Sequence, residues 1–295
     1  VPHADPSLVL TYDPTPAAPR LRLPAGACDT HVHVFGPAAR FPYAASRNFT
    51  PVDAPKEALF ALHRTLGIER CVIVQSAVHG TDNRVVEDAI AAGQGRYLGV
   101  ALVAPDVADA ELARLAGLGF RGVRFNFMRH LAGASIDAVL ALTPRLARAG
   151  LHLQVHFESA LVHQLAAPLA RSAVPVVIDH MGRVNAALGA DHADFRALVD
   201  LLRNPLFRVK LSGIDRIDAA PAAAPAYRDG VDLARRLLEA FPERCLWGTD
   251  WPHPNHTHVP TDAALVDALE RIAPTPAARE QLLVTNPATF YRFAP

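Results

Sequence analysis

Residues 71–103 read CVIVQSAVHGTDNRVVEDAIAAGQGRYLGVALV. Two apolar runs, 71–76 and 97–103, bracket a segment near 85–92 whose apolar residues recur at helical spacing. Neither run alternates polar with apolar residues. Such runs suit strands buried on both faces, and two strands joined through a helix pair in parallel. The same unit recurs in both directions. Upstream lie a strand at 28–33 and a helix at 54–67 that Gly67 stops. Downstream, strands at 122–126, 151–157, 174–179, 207–212 and 245–249 alternate with helices at 136–149, 161–171, 195–202, 227–240 and 263–272. A helix at 108–117 precedes them, and a helical stretch at 277–283 and 287–291 follows. Eight βα units with no composition break predict an α/β chain folded as one (β/α)8 TIM barrel over residues 28–295. Pro2, Pro6, Pro14, Pro16, Pro19 and Pro24 crowd residues 1–27, and proline blocks helix and sheet pairing, so this stretch is expected to be an extended N-terminal arm. No Gly-x-Gly-x-x-Gly follows the first strand and no Walker-type loop occurs, which weighs against an open nucleotide-binding sheet.

Composition narrows the function. The 295 residues are 51% hydrophobic and 20% charged, enough for a large core and against general disorder. Basic and acidic residues balance at 29 each, unlike a sequence-independent nucleic-acid binder. No apolar run approaches the ~18 residues of a membrane span, and the proline-rich start lacks the apolar centre of a signal peptide. Cys28, Cys71 and Cys245 are too few and too scattered for a disulfide framework or a cysteine zinc motif. The expectation is a soluble, cytoplasmic protein whose partner is a small molecule rather than nucleic acid or membrane.

In a barrel the chemistry sits at the C-terminal ends of the strands. Strand 1 ends Asp29-Thr30-His31-Val32-His33, strand 2 Gln75-Ser76, and strand 4 carries Arg124 and ends at Asn126. Strand 5 ends His156-Phe157-Glu158, strand 6 Asp179-His180, strand 7 Ser212-Gly213 with Arg216 beyond, and strand 8 Thr249-Asp250. Any one of these has a bland reading: His-x-His as chance, His156 as packing, Asp250 as a loop cap before Pro252. The set does not. His31, His33, His156 and Asp250 together are ligand types that zinc prefers in an open catalytic site, with His180 adjacent to polarise a carbonyl. Asp179, one residue before His180, is expected to point away from the mouth and takes no role. Arg124 lies inside an apolar strand, where a guanidinium is costly unless it meets an anion, so it is read as a carboxylate binder. For Arg216 and Arg129 surface and functional readings stand even.

The stretches Cys-Asp-Thr-His-Val-His-Val-Phe-Gly (28–36), Val-Ile-Val-Gln-Ser (72–76), Arg-Gly-Val-Arg-Phe-Asn-Phe (121–127), Val-Ile-Asp-His-Met-Gly-Arg (177–183) and Trp-Gly-Thr-Asp-Trp-Pro-His-Pro-Asn (247–255) carry a resemblance. The chain after the arm resembles the 2-pyrone-4,6-dicarboxylate hydrolase group of the amidohydrolase superfamily. The resemblance implies a (β/α)8 barrel and opening of an anionic lactone by water. It implies Asp250 as general base and His31, His33 and His180 around the lactone carbonyl. Arg124 and Arg216 match carboxylate-binding arginines and Ser76 a substrate-contacting serine. That group works without a divalent metal.

Three departures bear on mechanism. His156 stands where those enzymes carry tyrosine, Phe49 stands at a substrate-side tyrosine position, and His130 follows Arg129 where arginine is expected. The first restores the mononuclear ligand set of other superfamily members and implies one Zn2+ per chain, with a metal-free histidine cluster as the alternative. The other two favour a different anionic lactone, of the 4-sulfomuconolactone kind. Pyrone dicarboxylate hydrolysis and zinc-dependent non-oxidative decarboxylation remain the alternatives.

Overall fold

A computed structural model of the chain describes residues 10–128, 133–218, 226–255 and 259–293. Eight parallel strands pair in sequence order: β1 (Cys28–Val32), β2 (Arg70–Val74), β3 (Tyr97–Leu102), β4 (Phe120–Phe127), β5 (His152–Phe157), β6 (Val176–Ile178), β7 (Phe207–Lys210) and β8 (Cys245–Leu246). Backbone bonds bring the last strand round to the first: Thr30 N–H donates to Trp247 O at 2.8 Å, Asp250 N–H to His31 O at 2.8 Å, and His33 N–H to Trp251 O at 2.7 Å. The result is a nearly closed TIM barrel. Helices Lys56–Leu66, Arg84–Ala92, Asp109–Gly117, Ile136–Ala149, Val162–Leu169, Ala193–Leu202 and Arg228–Ala240 ring it, so each strand buries one face on a helix and the other in the barrel.

Several boundaries differ from the sequence reading, each for a local reason. β6 stops at Ile178 because the next five residues wind into a turn, and β8 pairs over only two residues before the chain turns toward β1. A short helix, Ile214–Ile217, follows β7 directly and carries Arg216. The segment expected as one helix over 263–272 divides at Ala268 into Asp262–Asp267 and Leu269–Ile272. The C-terminal pieces join instead, through a π turn at Gln281–Thr285. Residues 10–27 hold no strand or helix and lie along the barrel: the Tyr12 ring sits edge-on to Trp251 at 5.0 Å, and Asp267 accepts the backbone N–H groups of Arg20 and Leu21. Among the described residues no helix is long and apolar enough to cross a membrane.

The barrel interior is divided. Cys28, Val72, Val74, Leu98, Val100, Val177 and Leu246 form an apolar cluster with Tyr291. The inner positions of β4, β5 and β7 are polar instead. Arg124 pairs in register with Gln154, and Asn126 with His156. Lys210 of β7 reaches Gln154 Oε1 at 2.9 Å, past the intervening β6, which only an inward-facing side chain can do. Continuous apolar runs thus conceal a polar sector, and it runs up to the C-terminal mouth.

Candidate active site

Four consecutive residues after β6 have left-handed backbone: His180 (φ 49°), Met181 (φ 52°), Gly182 (φ 63°) and Arg183 (φ 57°). Three of them carry side chains, at roughly 1–2 kcal/mol each, so the surrounding packing must hold the turn. It has a consequence that strand alternation misses: Asp179 and His180 both face the interior. The expectation that Asp179 points away is corrected. Its Oδ2 accepts from Arg124 Nε at 2.7 Å, and its Oδ1 lies 3.3 Å from His31 Nδ1 and 3.9 Å from Lys210 Nζ. Asp250, also left-handed at φ 66°, is turned inward the same way at the end of β8.

Asp250 is the focus of the cluster. Its Oδ1 lies 3.4 Å from His33 Nε2, 3.7 Å from His31 Nε2 and 3.8 Å from His180 Nε2. Its Oδ2 accepts from Arg216 Nε, whose Nη2 donates to Pro254 O at 2.8 Å. The imidazoles are oriented from behind. His33 Nδ1 faces Val74 O at 2.7 Å, which fixes its proton there and leaves the Nε2 lone pair toward Asp250. His180 Nδ1 meets Ser212 Oγ at 2.9 Å, and Lys210 donates to Thr30 O at 2.7 Å while standing 3.3 Å from His31 Nδ1. Asp29 latches β1 to β8: its Oδ1 accepts from His31 N–H and Thr249 N–H at 3.0 and 3.1 Å, and its Oδ2 from Thr249 Oγ1 at 2.6 Å. Gly248 allows this approach, since a Cβ there would fall 2.6 Å from His31 N.

Charge follows from burial. Burial pulls His31 down to about 4, helped by the Lys210 ammonium, and holds His156 and His180 well below the usual imidazole range. These rings are neutral near pH 7. Burial alone would raise Asp250, but the Arg216 guanidinium and the nearby imidazoles outweigh it and keep the carboxyl ionised. Lys210, wholly enclosed, is drawn down to about 8 by burial against the attraction of Asp179.

The expected site residues distribute as follows. A cavity of about 240 Å³ at the mouth is lined by His33, Phe49, Ser76, Arg124, His156, His180, Arg183, Arg216 and Asp250. His31 lies beneath it, fully buried. His31, His33 and Asp250 present ligand atoms within 4.8 Å of one another, and so do His31, Asp179 and His180. His156 is in neither group: its Nδ1 lies 3.3 Å from Asn126 Oδ1 and its ring stands edge-on to His180 at 5.3 Å. Arg129 and His130 lie outside the described residues. Asp29, Lys210 and Arg183 were given no role from sequence. Asp29 and Lys210 carried one signal, a charged residue inside a segment read as a buried strand.

A barrel whose mouth joins inward histidines from β1 to an aspartate after β8 is the architecture of one hydrolase class. The chain belongs to the amidohydrolase family, whose model, described as Amidohydrolase, matches residues 28–293. It is 41% identical to 2-pyrone-4,6-dicarboxylate hydrolase of Comamonas testosteroni over 290 residues, covering 96% of this chain and 95% of that protein. It is 40% identical to 4-sulfomuconolactone hydrolase of Hydrogenophaga intermedia over 277 residues, covering 92% and 90%. The crystal structure of a putative 2-pyrone-4,6-dicarboxylic acid hydrolase from Pseudomonas putida superposes with a TM-score of 0.80 at 31% identity, over 92% of this chain and all of that one.

Proposed function

We propose that this protein opens an anionic lactone by directing water onto the ring carbonyl, with 4-sulfomuconolactone or a similar muconolactone as substrate. It is a lactone hydrolase of aromatic catabolism, as its relatives at about 40% identity support. The observation that carries the mechanism is the convergence of three imidazole Nε2 atoms on one oxygen of an ionised, buried aspartate, beside a cavity edged with arginine.

A lactone resists water because water is a weak nucleophile and the developing oxyanion has no partner. Asp250 accepts a proton from water as its oxygen adds to the carbonyl carbon, with His33 holding that water near the carboxylate. His180 donates to the tetrahedral oxyanion, an effect worth ~3–4 kcal/mol for a well-placed group. When the ring C–O bond breaks, Asp250 returns the proton to the leaving oxygen, and the product is the open-chain acid. Arg124, whose Nε is fixed by Asp179, offers its terminal nitrogens to a substrate anion, while Ser76 and Phe49 line the approach. Arg216 contacts Asp250 and so ties substrate position to the base.

The donor set fits a divalent cation. His31 Nε2 and Asp250 Oδ1 are buried without a hydrogen-bond partner, and His33 Nε2 presents a lone pair to the same point. His31, His33 and Asp250 would hold the ion, with His180 Nε2 a further imidazole nitrogen 3.8 Å from Asp250 Oδ1. Zinc there would supply Lewis acidity, polarising a carbonyl and easing loss of a proton from water.

A lactone panel containing 4-sulfomuconolactone, 2-pyrone-4,6-dicarboxylate and sugar-acid lactones, assayed with and without chelator, tests the reading. Asp250→Asn should lower turnover at least 10³-fold with the melting profile retained. Metal analysis of the purified protein should find about one zinc per chain. Fully active protein without metal would leave the histidine cluster and remove the zinc. Asp250→Asn protein of near-normal activity would remove the base.

A further inference from the structure

Lys210 lies at the base of the histidine cluster, on the inner face of β7, with no exposure to solvent. None of the steps derived above uses it. An ammonium has three hydrogens to place. Two go to Thr30 O at 2.7 Å and Gln154 Oε1 at 2.9 Å. For the third, His31 Nδ1 stands at 3.3 Å and Asp179 Oδ1 farther off, at 3.9 Å. The same Nδ1 lies 3.3 Å from Asp179 Oδ1. One side of the His31 ring thus meets a donor and an acceptor at equal distance. On the other side Nε2 has no hydrogen bond and faces Asp250 Oδ1 at 3.7 Å.

A neutral imidazole has one proton and two nitrogens to hold it. With the proton on Nδ1, Asp179 accepts it. The third Lys210 hydrogen then points at an N–H, and the Nε2 lone pair points at a carboxylate oxygen. With the proton on Nε2, Nδ1 accepts from the ammonium and the opposite N–H faces the ionised Asp250. This arrangement suits both sides of the ring, and Asp179 keeps its bond from Arg124 through the other oxygen. Buried charges are weakly screened, so these contacts decide the tautomer. A cation shared by His31 and Asp250 reverses the balance. It needs the Nε2 lone pair, and the Nδ1 proton then has Asp179 behind it, the usual partner of a ligating histidine.

We propose that Lys210 is a positioning residue that holds the His31 proton on Nε2, toward Asp250, and so sets the cluster for hydrogen bonding and against a cation. Asp179 is the acceptor that takes over when a cation displaces that proton. One proton then leaves Nε2 for water and one from water joins Nδ1, so the ring stays neutral. The assignment rests on the donor set of His31, His33 and Asp250 and not on the lactone reading, which can fail without touching it.

The test is nitrogen NMR of histidine-labelled full-length protein at pH 7, dialysed against a chelator, with His31 assigned by its loss in His31→Gln. The shifts tell which ring nitrogen carries the proton. In the unaltered protein this should be Nε2, and saturating zinc should move the proton to Nδ1. Lys210→Met should place it on Nδ1 without metal, and should bind zinc about tenfold tighter or more in competition with a chelator, since a buried positive charge is removed. Lys210→Gln keeps a neutral donor, should fall between the two, and stands in if the methionine variant folds poorly. A substitution that merely loosened the fold would weaken zinc, so the sign of the change separates positioning from packing. Metal-free unaltered protein with the proton on Nδ1 would overturn the proposal. So would a Lys210 variant with an unchanged tautomer, or one that binds zinc equally or more weakly. If neither protein takes up zinc, the tautomers of the metal-free proteins decide alone.

Discussion

His152 gives a prediction that separates electrostatics from packing. It lies on the inner face of β5, its ring against Phe290 at 4.9 Å and Tyr291 at 5.6 Å, with Gly122 leaving the space a Cβ would take 2.4 Å from the imidazole. Its Nε2 has no hydrogen-bond partner, and burial, reinforced by the Lys210 charge, pushes the ring from 6.5 down to about 3. The folded state therefore holds it neutral, while the unfolded chain takes up a proton below pH 6.5. Protons bound preferentially by the unfolded state draw the equilibrium toward it, so stability is full above about pH 6.5 and falls as pH drops toward 3. At pH 5 the folded ring is still neutral, and the loss is 1.36 kcal/mol for each of the 1.5 pH units below 6.5, or about 2 kcal/mol. His152→Leu removes that titration while filling the same space. Urea unfolding of both proteins at pH 7.5 and pH 5.0 gives two pH-induced losses, and the parent's should exceed the variant's by about 2 kcal/mol. The packing cost of leucine appears at both pH values and cancels, as do the contributions of His31, His156 and His180. Equal losses in the two proteins would show that His152 is not held neutral by the fold, and the burial reasoning for the whole interior would fail with it.

Two further outcomes follow from the latch between β1 and β8. Asp29→Ala strands three buried donors at about 1–3 kcal/mol each, for an expected net cost of about 3–5 kcal/mol. With ~2.1 cal/mol/K per residue over 295 residues, that is a melting temperature lower by roughly 5–8 °C, readable by calorimetry; a shift under 2 °C would remove the latch. Gly248→Ala places a methyl against the His31 backbone and the Asp29 carboxylate, so His31 must move and activity should fall at least tenfold in steady-state assays. Near-normal turnover would show that the position of His31 does not govern the chemistry.

Much of this was readable along the chain. Continuous apolar runs spaced by amphipathic helices require strands buried on both faces, and eight of them close most economically as a barrel. Because strand ends converge at its mouth, His31, His33, His180 and Asp250 follow from position alone, and so does the cost of Arg124 inside an apolar strand. The backbone decided the rest. Strand alternation places Asp179 outside, yet the chain leaves β6 in a left-handed turn, and a turn is fixed by what packs around it rather than by the order of its residues. His156 matches a ligand in type and strand, but its ring meets Asn126 and the edge of His180 and shares no ligand group with Asp250, a matter of ångströms that no spacing encodes. Which carboxylate each arginine meets was likewise invisible in the sequence. Arg124 and Arg216 are alike as letters, and only the fold brings Asp179 to the first and Asp250 to the second.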